Sequence, residues 1–164
     1  MPLSIRPARV EDVNTLRGLY RAAVLALGPA AYSPAQVAAW QAFAGHADFE
    51  AFILDVHTWV AVRDDAPIGF CGVDDEGHVA SLYLAPEMCG AGLGEALLRA
   101  VLARHPRPSS GRYHAEASAF SLPVFLRCGF TRADVEQVER DGVAFERQRV
   151  VRPAIEATAS DPAP

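Results

Sequence analysis

The stretch Leu82-Tyr83-Leu84-Ala85-Pro86-Glu87-Met88-Cys89-Gly90-Ala91-Gly92-Leu93-Gly94-Glu95-Ala96-Leu97 decides the fold. A strand-like apolar run stops at a proline. A turn with glycine at every second position then opens directly into a helix marked by Leu93, Ala96, Leu97, Ala100 and Val101. The first N–H groups of such a helix have no intrahelical partner and sit at the positive end of its dipole. Glycines carry no side chain, so an anion can approach the backbone closely, and a pyrophosphate fits such a turn. Glycines alone would serve a tight turn or close helix packing equally well, but two competing phosphate motifs fail on spacing. A dinucleotide fingerprint puts its third glycine at position 95, which is Glu95, and a P-loop needs Gly-Lys-Ser/Thr, which is missing.

Upstream of this stretch, Thr58 to Val62, Pro67 to Val73 and Val79 to Leu84 read as three short strands. Asp64-Asp65 and Asp74-Asp75-Glu76-Gly77 punctuate them, which predicts an antiparallel meander. Before the meander, Ser4 to Arg6 is a short strand, and Val13, Leu16, Leu19, Ala23, Val24 and Leu27 mark an amphipathic helix closed by Gly28-Pro29. Ser33-Pro34-Ala35-Gln36 supplies a cap, a first-turn proline and a Gln three residues on, so a second helix is expected to run to Gly45, with Trp40 and Phe43 on its core face. Downstream, the Leu93 helix should end before Pro106. A strand at Arg112 to Ala117 follows, then a short helix at Leu122 to Cys128 and a hairpin around Asp141-Gly142. The fold class is α+β, a sheet flanked by helices. One domain is expected over residues 1–152, with a loose tail over residues 153–164.

Composition narrows the function. The net charge is −5 and the basic residues are scattered, which excludes a nucleic-acid footprint. No apolar run is long enough to span a membrane, and the three cysteines form no CxxC pair. A cytoplasmic protein without membrane contact is the expectation. His46, His57, His78, His105 and His114 show no metal-ligand spacing and no GxSxG elbow exists, so no metal is expected and each histidine reads as a surface or satisfied core residue.

With these residues in view, the chain resembles the GNAT superfamily of N-acetyltransferases. The family signature runs from a strand ending near proline through Arg or Gln, Gly, any residue, Gly, an aliphatic, and Gly or Ala into a helix. Gly90, Gly92, Leu93 and Gly94 match it, while Cys89 stands where Arg or Gln is usual. Ala117-Ser118-x-x-Ser121-x-Pro123-Val124-Phe125-x-x-x-Gly129-Phe130 is similar to a later family motif, with Ser118 for the usual Asn and Phe125 for the usual Tyr. Tyr32-Ser33-Pro34-Ala35-Gln36-Val37-x-x-Trp40 is similar to the start of the second helix in one bacterial branch. The resemblance implies a mixed, largely antiparallel central sheet whose strands splay around an acyl-coenzyme A arm. It implies acetyl-CoA as donor and a small-molecule or peptide amine as acceptor, and it allows a homodimer. The cofactor contacts it implies are Leu82, Tyr83, Leu84, Cys89, Gly90, Ala91, Gly92, Leu93, Gly94, Glu95, Ser118 and Phe125.

Function then turns on proton transfer. A thiolate leaves readily near neutral pH, whereas an amine of pKa about 10.4 must first lose a proton. Glu116, His114 and Tyr83, on the two strands that should flank the thioester, are the candidate bases, and the backbone N–H of Leu84 is the candidate oxyanion donor. Tyr20 and Tyr32 are the candidate acceptor-pocket aromatics. The reading is direct transfer of an acetyl group to a primary amine in a ternary complex. Its rivals are a ping-pong route through Cys89 or Cys128, and a non-catalytic acyl-CoA sensor or partner-binding module.

Overall fold

The computed structural model describes residues 3–154. The chain begins with β1 (Ser4–Pro7), followed by helix α1 (Val13–Leu27), α2 (Pro34–Ala42) and α3 (Phe49–Leu54). The meander is β2 (His57–Arg63), β3 (Ala66–Val73) and β4 (Val79–Leu84). Helix α4 (Leu93–Arg104), β5 (Arg112–Ala117), α5 (Leu122–Arg127), β6 (Thr131–Arg140) and β7 (Val143–Pro153) complete the order. The sheet is divided. Strands β1-β2-β3-β4 form one antiparallel sheet and β5-β7-β6 a second.

Local chemistry fixes the helices. Arg6 holds Asp12 in a two-pronged pair at 2.7 and 2.9 Å, and the amide of Arg9 donates to Asp12 Oδ2 at 2.7 Å, which sets the start of α1. Leu16, Tyr20 and Val24, four residues apart, are buried on its inner face. At α2 the cap is reciprocal. Gln36 N donates to Ser33 Oγ at 3.1 Å and Ser33 N to Gln36 Oε1 at 2.9 Å, while Gln36 Nε2 reaches Ala144 O at 3.1 Å and ties this helix to the β6–β7 hairpin.

Two apolar clusters cover the two faces of the first sheet. Val60 and Phe70 pack with α1 and α3; Ala61, Cys71 and Val73 pack with α4 and with Tyr113 and Ala115 of β5. Three features differ from the sequence reading. Helix α3 is an addition, too short for its period to stand out although Phe49 and Ile53 are both buried. The second helix tightens to a 3-10 turn over Phe43–Gly45. Pro153, expected to open the tail, instead ends β7 opposite Arg112, and Ala154 N donates to Gly111 O at 3.1 Å; residues 155–164 of the tail lie outside the described residues.

Candidate active site

Strands β4 and β5 run parallel and touch at one bridge, His78 with His114, before they diverge. The edge of β4 beyond that bridge is exposed to a groove. Ala85 N donates to Ile68 O at 2.9 Å, and the register Gly69–Leu84, Phe70–Tyr83, Cys71–Leu82 is regular. Backbone groups alternate in direction along an antiparallel strand, so Tyr83 bonds toward β3 while Leu82 and Leu84 turn N–H and C=O to the open edge. These are the free groups that an added extended arm can pair with.

At its far end the groove meets the glycine turn. Gly92 caps α4 with φ +80° and ψ +4°, and Gly90 has φ +84°. Ala96 N closes the first helical turn on Gly92 O at 3.1 Å, so the three preceding amides have no intrahelical acceptor. Among the described residues a Cβ on Gly92 would meet nothing within 4 Å, and the residue lines a cavity of about 640 Å³, so the donors face open space suited to a pyrophosphate. Gly94 differs, because a Cβ there would come within 3.3 Å of Val124 and its task is helix packing. Ala91 is exposed and Leu93 is a core side chain, so neither lines the cavity. Their contribution reduces to backbone.

The side chains around the turn depart from expectation. Partial burial, and then Glu87, push the Cys89 thiol up, and burial pushes Cys128 up too, the direction that disfavours a thiolate at either. Glu95 lines the cavity but is paired with Arg127, which holds its carboxyl below the ordinary range. Arg127, unassigned from sequence, thereby brings a cation to a cavity whose turn carries Cys89. Ser118 accepts from the amides of Phe120 and Ser121 at 3.2 and 3.1 Å, so its hydroxyl caps the turn into α5. Phe125 lines the groove and packs edge-on against Phe130, with centroids 5.0 Å apart.

A second cavity of about 350 Å³ lies under α1 and α2 and against the hairpin. Trp40, Tyr83, Glu116 and Ser118 line both cavities and mark where they meet. Glu116 is held by His78, whose Nε2 lies 3.0 and 3.1 Å from its two oxygens. That contact raises the His78 pKa and lowers that of Glu116, which favours a carboxylate paired with an imidazolium. His114 stacks on His78 at 4.9 Å and lines neither cavity, and burial lowers its pKa; it supports the pair rather than facing a ligand. Tyr83 accepts from Trp40 Nε1 at 3.2 Å, and burial pushes its phenol up, the wrong direction for a base.

The aromatic assignments partly exchange. Tyr20, expected in the pocket, is 1% exposed and donates to Trp40 O at 3.2 Å, so only an edge reaches the second cavity. Trp40 and Phe43, expected in the core, are half-buried and line cavity walls. Tyr32 lines the second cavity, its hydroxyl accepting from Ala119 N at 2.9 Å. Sequence reasoning missed His78; the signal was its position just before the strand that should diverge from the one bearing Glu116.

Comparison with known proteins agrees with this geometry. The profile of the acetyltransferase (GNAT) domain matches residues 29–150. A GCN5-related N-acetyltransferase structure from Rhodopseudomonas palustris superposes with a TM-score of 0.87 at 22% identity, covering 93% of this chain and 96% of the other. The PaiA N-acetyltransferase of Thermoplasma acidophilum, solved with coenzyme A, gives 0.73 at 17% identity over 93% and 99%. The peptidyl-lysine N-acetyltransferase YiaC of Escherichia coli (strain K12) is 30% identical over 57 residues, 35% of this chain and 39% of that relative's length. With most of its length matched by that domain and its strands splayed beside a glycine turn, the chain belongs to the GNAT acetyltransferase family.

Proposed function

We propose that this protein is an acetyl-CoA-dependent N-acetyltransferase that passes an acetyl group directly to a primary amine in a ternary complex. The observation that carries the reading is the meeting of two cavities at Tyr83, Glu116 and Ser118, beside the open backbone edge of Leu82 and Leu84. One cavity ends at the glycine turn and suits a long anionic donor; the other is walled by aromatic rings and suits a small acceptor. When bound, acetyl-CoA would supply a thioester to whose carbonyl carbon the amine nitrogen adds, after which the C–S bond breaks and the coenzyme A thiolate leaves.

The chain's own groups handle orientation and protons. Leu82 and Leu84 hold the arm as an added strand would, and the outward N–H of Leu84 is the oxyanion donor. Glu116, positioned by His78, takes the proton of the amine, directly or through one water. Phe125 has no proton to give, and the thiolate leaves without one because a thiol of pKa about 8.5 makes it a weaker base than an amine of pKa about 10.4. Glu116→Gln should therefore lower kcat by about 10²–10⁴-fold. A folded Glu116→Gln protein within threefold of the natural rate would remove Glu116 from this role.

A further inference from the structure

The second cavity is bordered by a face of the β6–β7 hairpin that carries two arginines, Arg140 and Arg147. Register pairs Glu136 with Arg147, Val138 with Phe145 and Arg140 with Val143. Opposed residues share a face and successive residues alternate, so Arg140, Phe145 and Arg147 look the same way, toward the cavity they line. Glu146, opposite Gln137, also borders the cavity, although the strand alternation starts its side chain on the other face. Arg147 donates to Glu136 at 2.9 Å through Nη2, yet its Nε is buried with no partner among the described residues. A buried guanidinium N–H without an acceptor is costly, and an incoming anion would satisfy it.

Arg147 is also near the reacting point. Glu116 opposes Arg149, and Arg147 lies two residues along the same face, a diagonal of about 7–8 Å between strand positions that a long side chain shortens. Arg140, from the tip of the hairpin, lies on the same side. Between these cations and the roof stand Tyr32, Trp40 and Phe145, which offer ring surface to an apolar body. A polycationic acceptor would meet two guanidiniums here.

We propose that the acceptor is a small amino-acid-like amine, with a carboxylate within a few bonds of the nucleophilic nitrogen and an apolar or aryl body, and that Arg147 with Arg140 forms its carboxylate subsite. This rests on the N-acetyltransferase reading and narrows its acceptor. The amine lies at Glu116, the carboxylate takes the Nε and a terminal N–H of Arg147, and the body rests on the aromatic walls.

The test is the initial rate of thiol release from acetyl-CoA with amines that differ only in the carboxylate: phenylalanine against phenethylamine, leucine against isoamylamine, and spermidine as the cationic comparison. The kcat/KM of each amino acid should exceed that of its decarboxylated partner at least tenfold. Arg147→Gln should shrink that ratio by tenfold or more, chiefly through KM of the amine. Because this change strands Glu136, Arg140→Gln at an exposed position is the second variant, and it should lower the ratio in the same direction. Equal or faster turnover of the decarboxylated amines or spermidine, or an unaltered ratio in both variants, would overturn the subsite while leaving the transferase reading in place. No release with any amine would sink the transferase reading, and the subsite with it.

Discussion

Gly92→Ala puts the smallest L side chain on a residue held at φ +80°. That conformation costs an L residue about 1–2 kcal/mol. Among the described residues no atom lies within 4 Å of the added Cβ, so strain is the cost in the free protein. At about 2–4 °C per kcal/mol for a chain of this size, the melting temperature should fall by roughly 2–8 °C. Binding suffers differently, because the open space around Gly92 belongs to the donor cavity and the methyl takes room that a pyrophosphate needs. Losing one hydrogen bond to a charged group, worth about 1.5–3 kcal/mol, weakens coenzyme A by about tenfold to a hundredfold. Calorimetric titration with coenzyme A reads this directly, with Gly92→Val as the bulkier case and a thermal melt of each variant alongside. An unchanged Kd in a folded Gly92→Val protein would refute the placement of the pyrophosphate.

Phe125→Tyr adds a phenol at a groove-lining position, and it should raise kcat by at most about tenfold, because amine deprotonation still limits; a gain of several hundredfold, measured by thiol release, would show that the missing acid was the bottleneck. The His78–Glu116 pair should also leave a mark on stability. His78 is raised above its ordinary 6.5, so its contribution is complete below that pH and is lost as pH rises through the raised value. Glu116 is lowered below 4.5, so its contribution is complete above that pH and is lost as pH falls through the lowered value. Thermal melts from pH 6 to 9 should show a loss in the natural protein that Glu116→Gln abolishes; parallel curves would mean that the pair is not coupled to folding.

The fold was legible where chemistry is local. Glycine spacing, the Ser33–Gln36 cap and the apolar periods of α1 and α4 each act within a few residues, and each element formed at its expected place. What was not legible depends on contacts between segments far apart in the chain. Tyr20 and Trp40 both carry aromatic rings on helices, and only the way α1 and α2 pack on each other and on the strands decides which ring is covered and which borders a cavity. His78 looked idle because its partner lies 38 residues away on a strand that meets it at one bridge. Arg127 and Arg147 were hidden for the same reason, since isolated arginines in sequence carry no sign of the cavity they face. The division of the sheet was implied by the family resemblance, and the isolated bridge between β4 and β5 is its physical form.

Direct transfer to an amine is the central claim, and one measurement tests it most directly. The protein is incubated with acetyl-CoA with and without the best amine of the panel; released thiol, acetylated amine and the intact mass of the protein are quantified in the same samples. The account predicts one acetylated amine per thiol when amine is present, and neither thiol beyond background hydrolysis nor a protein mass increase of one acetyl group when it is omitted. An acetylated protein formed without amine would contradict direct transfer, and coenzyme A binding with no thiol release for any amine would contradict the assignment of an enzyme at this site.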